Sequence, residues 1–157
     1  MAKAARATAA LEKAGADFTV HIYDYDPHAD RIGMQAADAL GEPPRRVLKT
    51  LMVLLDGKPA CAILPSDAQV AMKKLAAALG GKSAEMMKPA DAERVTGFKV
   101  GGISPFGQMR KVPTAIEAKA IDEPYVFING GQRGLQVRLD PAVAARILEA
   151  RIAPIMA

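Results

Sequence analysis

Residues 18–23 alternate: Phe18, Val20 and Ile22 fall on one side, Thr19, His21 and Tyr23 on the other. Period two predicts a strand with one buried face. The polar stretch 24–31, holding Pro27, predicts a loop, and 33–40 a short helix ended by Gly41. After Pro43 and Pro44, the run 47–55 is apolar on both faces except at Lys49 and Thr50, the mark of a central strand. Asp56-Gly57 predicts a hairpin turn that returns the chain over 59–64. An amphipathic first helix stops at Gly15, another covers 70–79 before Gly80 and Gly81, and a further short one covers 91–96. Strands are expected at 112–116, 125–128 and 135–139, then a last helix from Pro141, where a missing N–H is harmless. This is an α+β pattern: one domain over residues 1–157, a mixed sheet with helices packed on it, and no internal repeat.

Composition narrows the picture. There are four Phe, three Tyr and no Trp, so the core is expected to consist of Ala, Val, Leu, Ile and Met. A single cysteine, Cys61, excludes an internal disulfide framework and fits a reducing compartment. No stretch approaches the roughly 18 apolar residues that cross a bilayer. The Ala-rich start lacks the apolar run of a targeting peptide and continues as a helix would. A cytoplasmic protein without a membrane association is expected.

The net charge of +4 is unevenly placed. Residues 1–93 balance, and so does the tail after Arg138. Between them, Arg94, Lys99, Arg110, Lys111, Lys119, Arg133 and Arg138 face only Glu117, Asp122 and Glu123. Such a segment suits a polyanionic partner, or is simply a solvated basic face.

No Cys/His cluster with metal spacing, Walker loop, Gly-x-Ser-x-Gly elbow or dinucleotide fingerprint is present, so neither metal nor cofactor is expected. Cys61, among Ala60, Ala62 and Ile63, reads as a small buried hydrophobe rather than a nucleophile. His21 reads as a structural polar residue on a strand, with a general base as the alternative, and His28 is isolated in sequence. Lys49 stands near the start of a strand otherwise apolar on both faces, where an unpaired ammonium is costly. Either it reaches water from the strand end or it meets an anion in a cleft, with Thr50 adding a hydroxyl. Two glycine-rich connections, Gly101-Gly102-Ile103-Ser104-Pro105 and Gly130-Gly131-Gln132-Arg133-Gly134, let backbone N–H groups approach a phosphate or a developing oxyanion. Arg110, Lys111 and Arg133 lie near or within them.

Taken in order, Lys49-Thr50-Leu51 after a Tyr-bearing strand, Gly101 to Gln108, Pro113-Thr114 and Gly130 to Leu135 resemble the YbaK family, relatives of the editing domain inserted in bacterial prolyl-tRNA synthetases. The resemblance runs from about Leu11 to Ile152. It implies a partly barrel-like mixed sheet and a trans-editing deacylase that removes cysteine from Cys-tRNA(Pro). It also implies no enzyme nucleophile: the substrate thiol attacks its own ester and leaves as a thiolactone, so the enzyme is classed as hydrolase or lyase. On the same footing Lys49 is the essential lysine, Tyr23 and Thr50 are pocket positions, and Gly101, Gly102, Ile103, Ser104 and Pro105 form the wall that limits side-chain size. Gly130, Gly131, Arg133 and Gly134 complete the substrate site, and Arg110 and Lys111 are expected at tRNA phosphates. The partners are aminoacylated tRNA and, for tRNA selection, prolyl-tRNA synthetase. One position departs from the pattern: Gln136 stands where the family often carries an acid. An Ala-tRNA(Pro) deacylase using an activated water, or a non-catalytic tRNA-binding module, are the competing readings.

Overall fold

The computed structural model describes residues 3–29 and 34–157. Residues 30–33, the end of the expected loop and the start of the expected second helix, lie outside it. The elements are α1 (Lys3–Lys13), β1 (Thr19–Ile22), α2 (Gln35–Leu40), β2 (Leu48–Leu55), β3 (Lys58–Pro65), α3 (Met72–Ala78), β4 (Ala84–Met86), α4 (Pro89–Thr96), β5 (Thr114–Glu117), β6 (Val126–Asn129), β7 (Leu135–Leu139), α5 (Pro141–Leu148) and β8 (Arg151–Ala153).

Local chemistry sets most of these limits. Asp56 and Gly57 both have positive φ, 49° and 82°, the backbone of a tight hairpin turn whose twist matches its strands. The Asp56 carboxylate accepts from the Lys82 and Ser83 amides, which ties the turn to the approach into β4 and holds its carboxyl below the usual carboxylate range. Helix α5 starts on Asp140, whose Oδ1 accepts from the Ala142 N–H at 2.8 Å, with Pro141 next. The expected helix over 70–79 begins only at Met72, because Val70 is drawn into a bridge with Met156.

The strands form two sheets that stop short of a closed barrel. One has the order β4-β2-β3-β5-β8 and is mixed, with β2–β3 antiparallel and β3–β5 and β5–β8 parallel. The other, β1-β7-β6, is antiparallel. Among the described residues a single parallel bridge, Val47 to Phe127, joins them. As expected for a central strand, β2 and its partner bury both faces: Leu48, Met52, Cys61 and Ile63 on one, Val53, Ala60, Ala62 and Leu64 on the other.

Two expectations are corrected here. The core is not purely aliphatic: Phe98 and Phe106 are among its largest fully buried side chains, and Phe106 anchors the loop after Gly101. The alternation of β1 is real, but its apolar side is not buried. Val20 is 46% and Ile22 78% exposed, because β1 is the outer strand of the small sheet. His21 turns inward, edge-on to Phe127 at 5.1 Å. No described helix is long and apolar enough to cross a membrane.

Candidate functional site

Between its two neighbours β2 has an uncovered stretch. Strand β4 pairs with it only over Val53 to Leu55, extended by the Met87 N–H donating to the Met52 carbonyl. On the same side, among the described residues, the bridge to β6 falls at Val47, one residue before β2. A cleft of ≈ 320 Å³ opens at this gap, with Lys49, Thr50 and Leu51 in its wall. Side chains alternate across a strand, so Lys49 and Thr50 leave in opposite directions and divide the cleft. Lys49, Tyr23, Tyr25, Ser66 and Gln136 give a polar half; Met52, Met87, Ala92 and Ile103, partners in the main core, give an apolar half shared with Thr50.

The polar groups here are left wanting. The half-buried Lys49 makes no hydrogen bond or ion pair among the described residues; burial lowers its pKa, with the Asp67 charge a smaller opposing effect. Three buried oxygens in the cleft, Thr50 Oγ1, Ser66 Oγ and Gln136 Oε1, have no hydrogen-bond partner among the described residues. Burial raises the Tyr23 phenol, opposed by the Gln136 side chain. Each unsatisfied buried group costs about 1–3 kcal/mol, and nearly all such groups in folded proteins are paired. Several orphans in one opening mark a place shaped for a polar ligand.

The two glycine-rich loops stand behind this cleft and brace each other. A Cβ on Gly102 would lie 2.7 Å from the Arg133 backbone nitrogen, and one on Gly101, whose φ is +89°, 2.8 Å from the Tyr25 hydroxyl. Asn129 Nδ2 donates to the carbonyls of both Gly101 and Gln132, and its Oδ1 accepts from the Gly131 N–H at 2.7 Å. The Arg133 guanidinium stacks over Tyr25 and donates through Nε to the Val100 carbonyl at 2.8 Å. The glycines thus allow loop-to-loop contact as much as approach of a ligand.

Of the residues singled out from the sequence, Tyr23, Lys49, Thr50, Gly101 and Ile103 line the cleft together. Gly102, Ser104, Pro105, Gly130, Gly131, Arg133 and Gly134 do not line it. Ser104 is fully buried, its Oγ accepting from the Phe106 N–H. Arg110 and Lys111 line a separate groove with Asp56 and Lys58, and Lys111 pairs with Glu149 at 2.6 Å. Cys61 is buried in the core, its thiol pushed up to about 12 by burial. His21 Nε2 lies 2.8 Å from the Thr19 hydroxyl, and His28 is exposed. Among the described residues no three His, Cys, Asp or Glu side chains gather as metal ligands would. Ser66, Tyr25 and Asn129 join the site without a sequence signal; Gln136 had one, as a departure from a pattern.

This fold is shared. The chain belongs to the aminoacyl-tRNA editing domain family, which matches residues 26–147. A protein of Enterococcus faecalis named for Cys-tRNA(Pro)/Cys-tRNA(Cys) deacylation, EbsC, is 30% identical over 135 residues, 85% of this chain and 82% of its own. The multifunctional Ser/Thr-tRNA deacylase ProXp-y of Escherichia coli K12 is 26% identical over 147 residues, 92% of this chain and 87% of its own. A crystal structure described as a trans-editing enzyme for prolyl tRNA synthetase superposes with a TM-score of 0.84 at 21% identity, covering 100% of this chain and 98% of that one.

Proposed function

We propose that the protein is a cytoplasmic, single-domain aminoacyl-tRNA deacylase that acts in trans on Cys-tRNA(Pro). The observation that carries this reading is the Lys49 amine, unpaired among the described residues, in a cleft whose Thr50, Ser66 and Gln136 oxygens lack partners there too. The need is physical. A synthetase pocket built for proline discriminates against a smaller side chain by only ~1–3 kcal/mol per methylene, so a second site must remove what enters.

The substrate sulfur attacks its own carbonyl carbon. A C–S bond forms, the C–O bond to the terminal ribose breaks, and the thiol proton passes to the ribose oxygen. The free tRNA end and a thiolactone result, and water then opens the thiolactone. The enzyme supplies orientation and charge: Lys49 offsets negative charge building on the carbonyl oxygen, and Ile103 and Gly101 bound the side-chain space. Arg110 and Lys111 hold tRNA phosphates away from the cleft, and prolyl-tRNA synthetase supplies tRNA selection. A seryl ester is the second reading, favoured by the unpartnered oxygens, since a hydroxyl hydrogen-bonds them better than a thiol. Matched tRNA(Pro) carrying Cys, Ser, Ala or Pro tests these. Fastest release of cysteine, with thiolactone detected, supports the first reading; faster release of serine selects the second; faster release of alanine points to an activated water. No release from any of them overturns the enzyme.

A further inference from the structure

The uncovered stretch of β2 presents backbone as well as side chains. In an antiparallel strand the N–H and C=O of one residue point the same way, and alternate residues share a direction. The Met52 carbonyl points toward β4, where Met87 donates to it at 3.1 Å. Thr50, two residues earlier, therefore aims both its peptide groups to that side, beyond the reach of β4. Its cross-strand partner confirms the register. Thr50 faces Ile63, whose neighbour in phase, Cys61, sends its N–H away to the Pro113 carbonyl at 2.9 Å. Thr50 to Ile63 is thus a non-hydrogen-bonded pair, and the Thr50 amide and carbonyl face away from β3, into the stretch that the β4 ladder leaves uncovered and that lines the cleft.

We infer that the aminoacyl group docks on this edge as a one-residue β-strand, antiparallel to β2, which rests on the deacylase reading above. The α-ammonium donates to the Thr50 carbonyl, and the ester carbonyl accepts from the Thr50 N–H. This geometry settles the rest of the pose. The ester end lies toward Lys49, and the terminal ribose extends to the half of the cleft holding Tyr23, Ser66 and Gln136. The acyl side chain, on the same face as its β-partner, enters the half holding Met52, Met87 and Ile103, beside the Thr50 hydroxyl. Recognition of the amino and carbonyl groups then rests on backbone and is blind to which small side chain is attached. The apolar half alone decides that.

The test pairs a substrate probe with a protein probe. Cysteinyl-tRNA(Pro) is compared with 3-mercaptopropionyl-tRNA(Pro), which keeps the thiol and the ester but lacks the α-amine. A drop in kcat/KM of about 10- to 100-fold is expected, the range of a charge-assisted hydrogen bond. Thr50→Val removes the hydroxyl, while Thr50→Pro also removes the N–H on the side where a strand tolerates proline. Thr50→Pro should fall about tenfold or more below Thr50→Val. Equal turnover of both substrates by the parent overturns the docking pose even if Thr50→Pro fails to fold. Equal rates for the two folded variants overturn it as well. A parent inactive on every aminoacyl-tRNA, by contrast, removes the deacylase reading itself.

Discussion

Of the charged side chains in the five-stranded sheet, Lys49 on β2 and Glu117 on β5 are the two that are not exposed, and they are treated in opposite ways. Glu117 is 1% exposed and its carboxylate is fully used: Oε1 accepts from the Ile155 and Met156 amides at 2.9 and 3.2 Å, and Oε2 from the Lys119 amide at 2.7 Å. It fastens the C-terminal segment, which is also held by the Ala157 N–H on the Gln69 carbonyl and by Lys74 on that of Met156. Lys49 is less buried, yet among the described residues no side chain or backbone group meets its amine. A charge whose hydrogen bonds are all made within the chain serves the fold. One left unmet beside other unmet groups is held in reserve for something that is not part of the chain.

The largest effect that separates the two is on activity. Lys49→Met should lower kcat/KM for the charged tRNA about 100- to 1000-fold, as removal of a charge-stabilising donor does elsewhere. Its melting temperature should equal or exceed the parent's, because an unpaired, half-buried ammonium is removed. A melting temperature well below the parent's would make Lys49 a structural residue. The pH dependence has a definite sign. Burial lowers the Lys49 pKa, so the active, protonated form is lost as pH rises at a lower pH than for an exposed lysine. After subtraction of spontaneous ester loss, the alkaline limb of the rate profile should sit below pH ~10.4. For stability the same lowering acts as a penalty, full at neutral pH and relieved as pH rises toward the unfolded lysine's pKa. Lys49→Met should abolish that rise.

Glu117→Ala should show the reverse pattern. It leaves three amides without their acceptor, at a cost of about 2–4 kcal/mol, and the melting temperature should fall on the order of 5–10 °C. The kcat/KM of the folded fraction should stay within about threefold of the parent, and a collapse of activity in protein still folded would break the contrast.

The smallest effect concerns the basic residues beyond the cleft. Neutralising Arg110 and Lys111 together should raise KM a few-fold and flatten its salt dependence, while kcat changes little. Unchanged KM and salt slope would make that groove a solvated face, its Lys111 engaged only with Glu149.

Much of this protein was legible locally. The Asp56-Gly57 turn, the alternation from Phe18, the two-sided apolar run of β2, the glycines after α1, α2 and α3 and the Pro141 start all act within a few residues, and each produced its element. Lys49 stood out for the same reason, a charge inside an apolar strand. What a window of a few residues does not hold is who packs beside whom. Strands β4 and β8 escaped notice because each is three residues long and is stabilised only by a partner distant in the chain. Val20 and Ile22 lie bare because β1 ended up at an edge, which its own pattern does not encode. Ser66 and Gln136 became neighbours of Lys49 only through the return of β3 and the docking of the second sheet at Val47. Arg110 and Lys111, near the glycine loops in sequence, were carried to another groove. Turn chemistry and periodicity are properties of a segment; the gap beside Thr50 exists only because β4 stops at Val53 and the second sheet meets β2 at one bridge among the described residues, before Leu48.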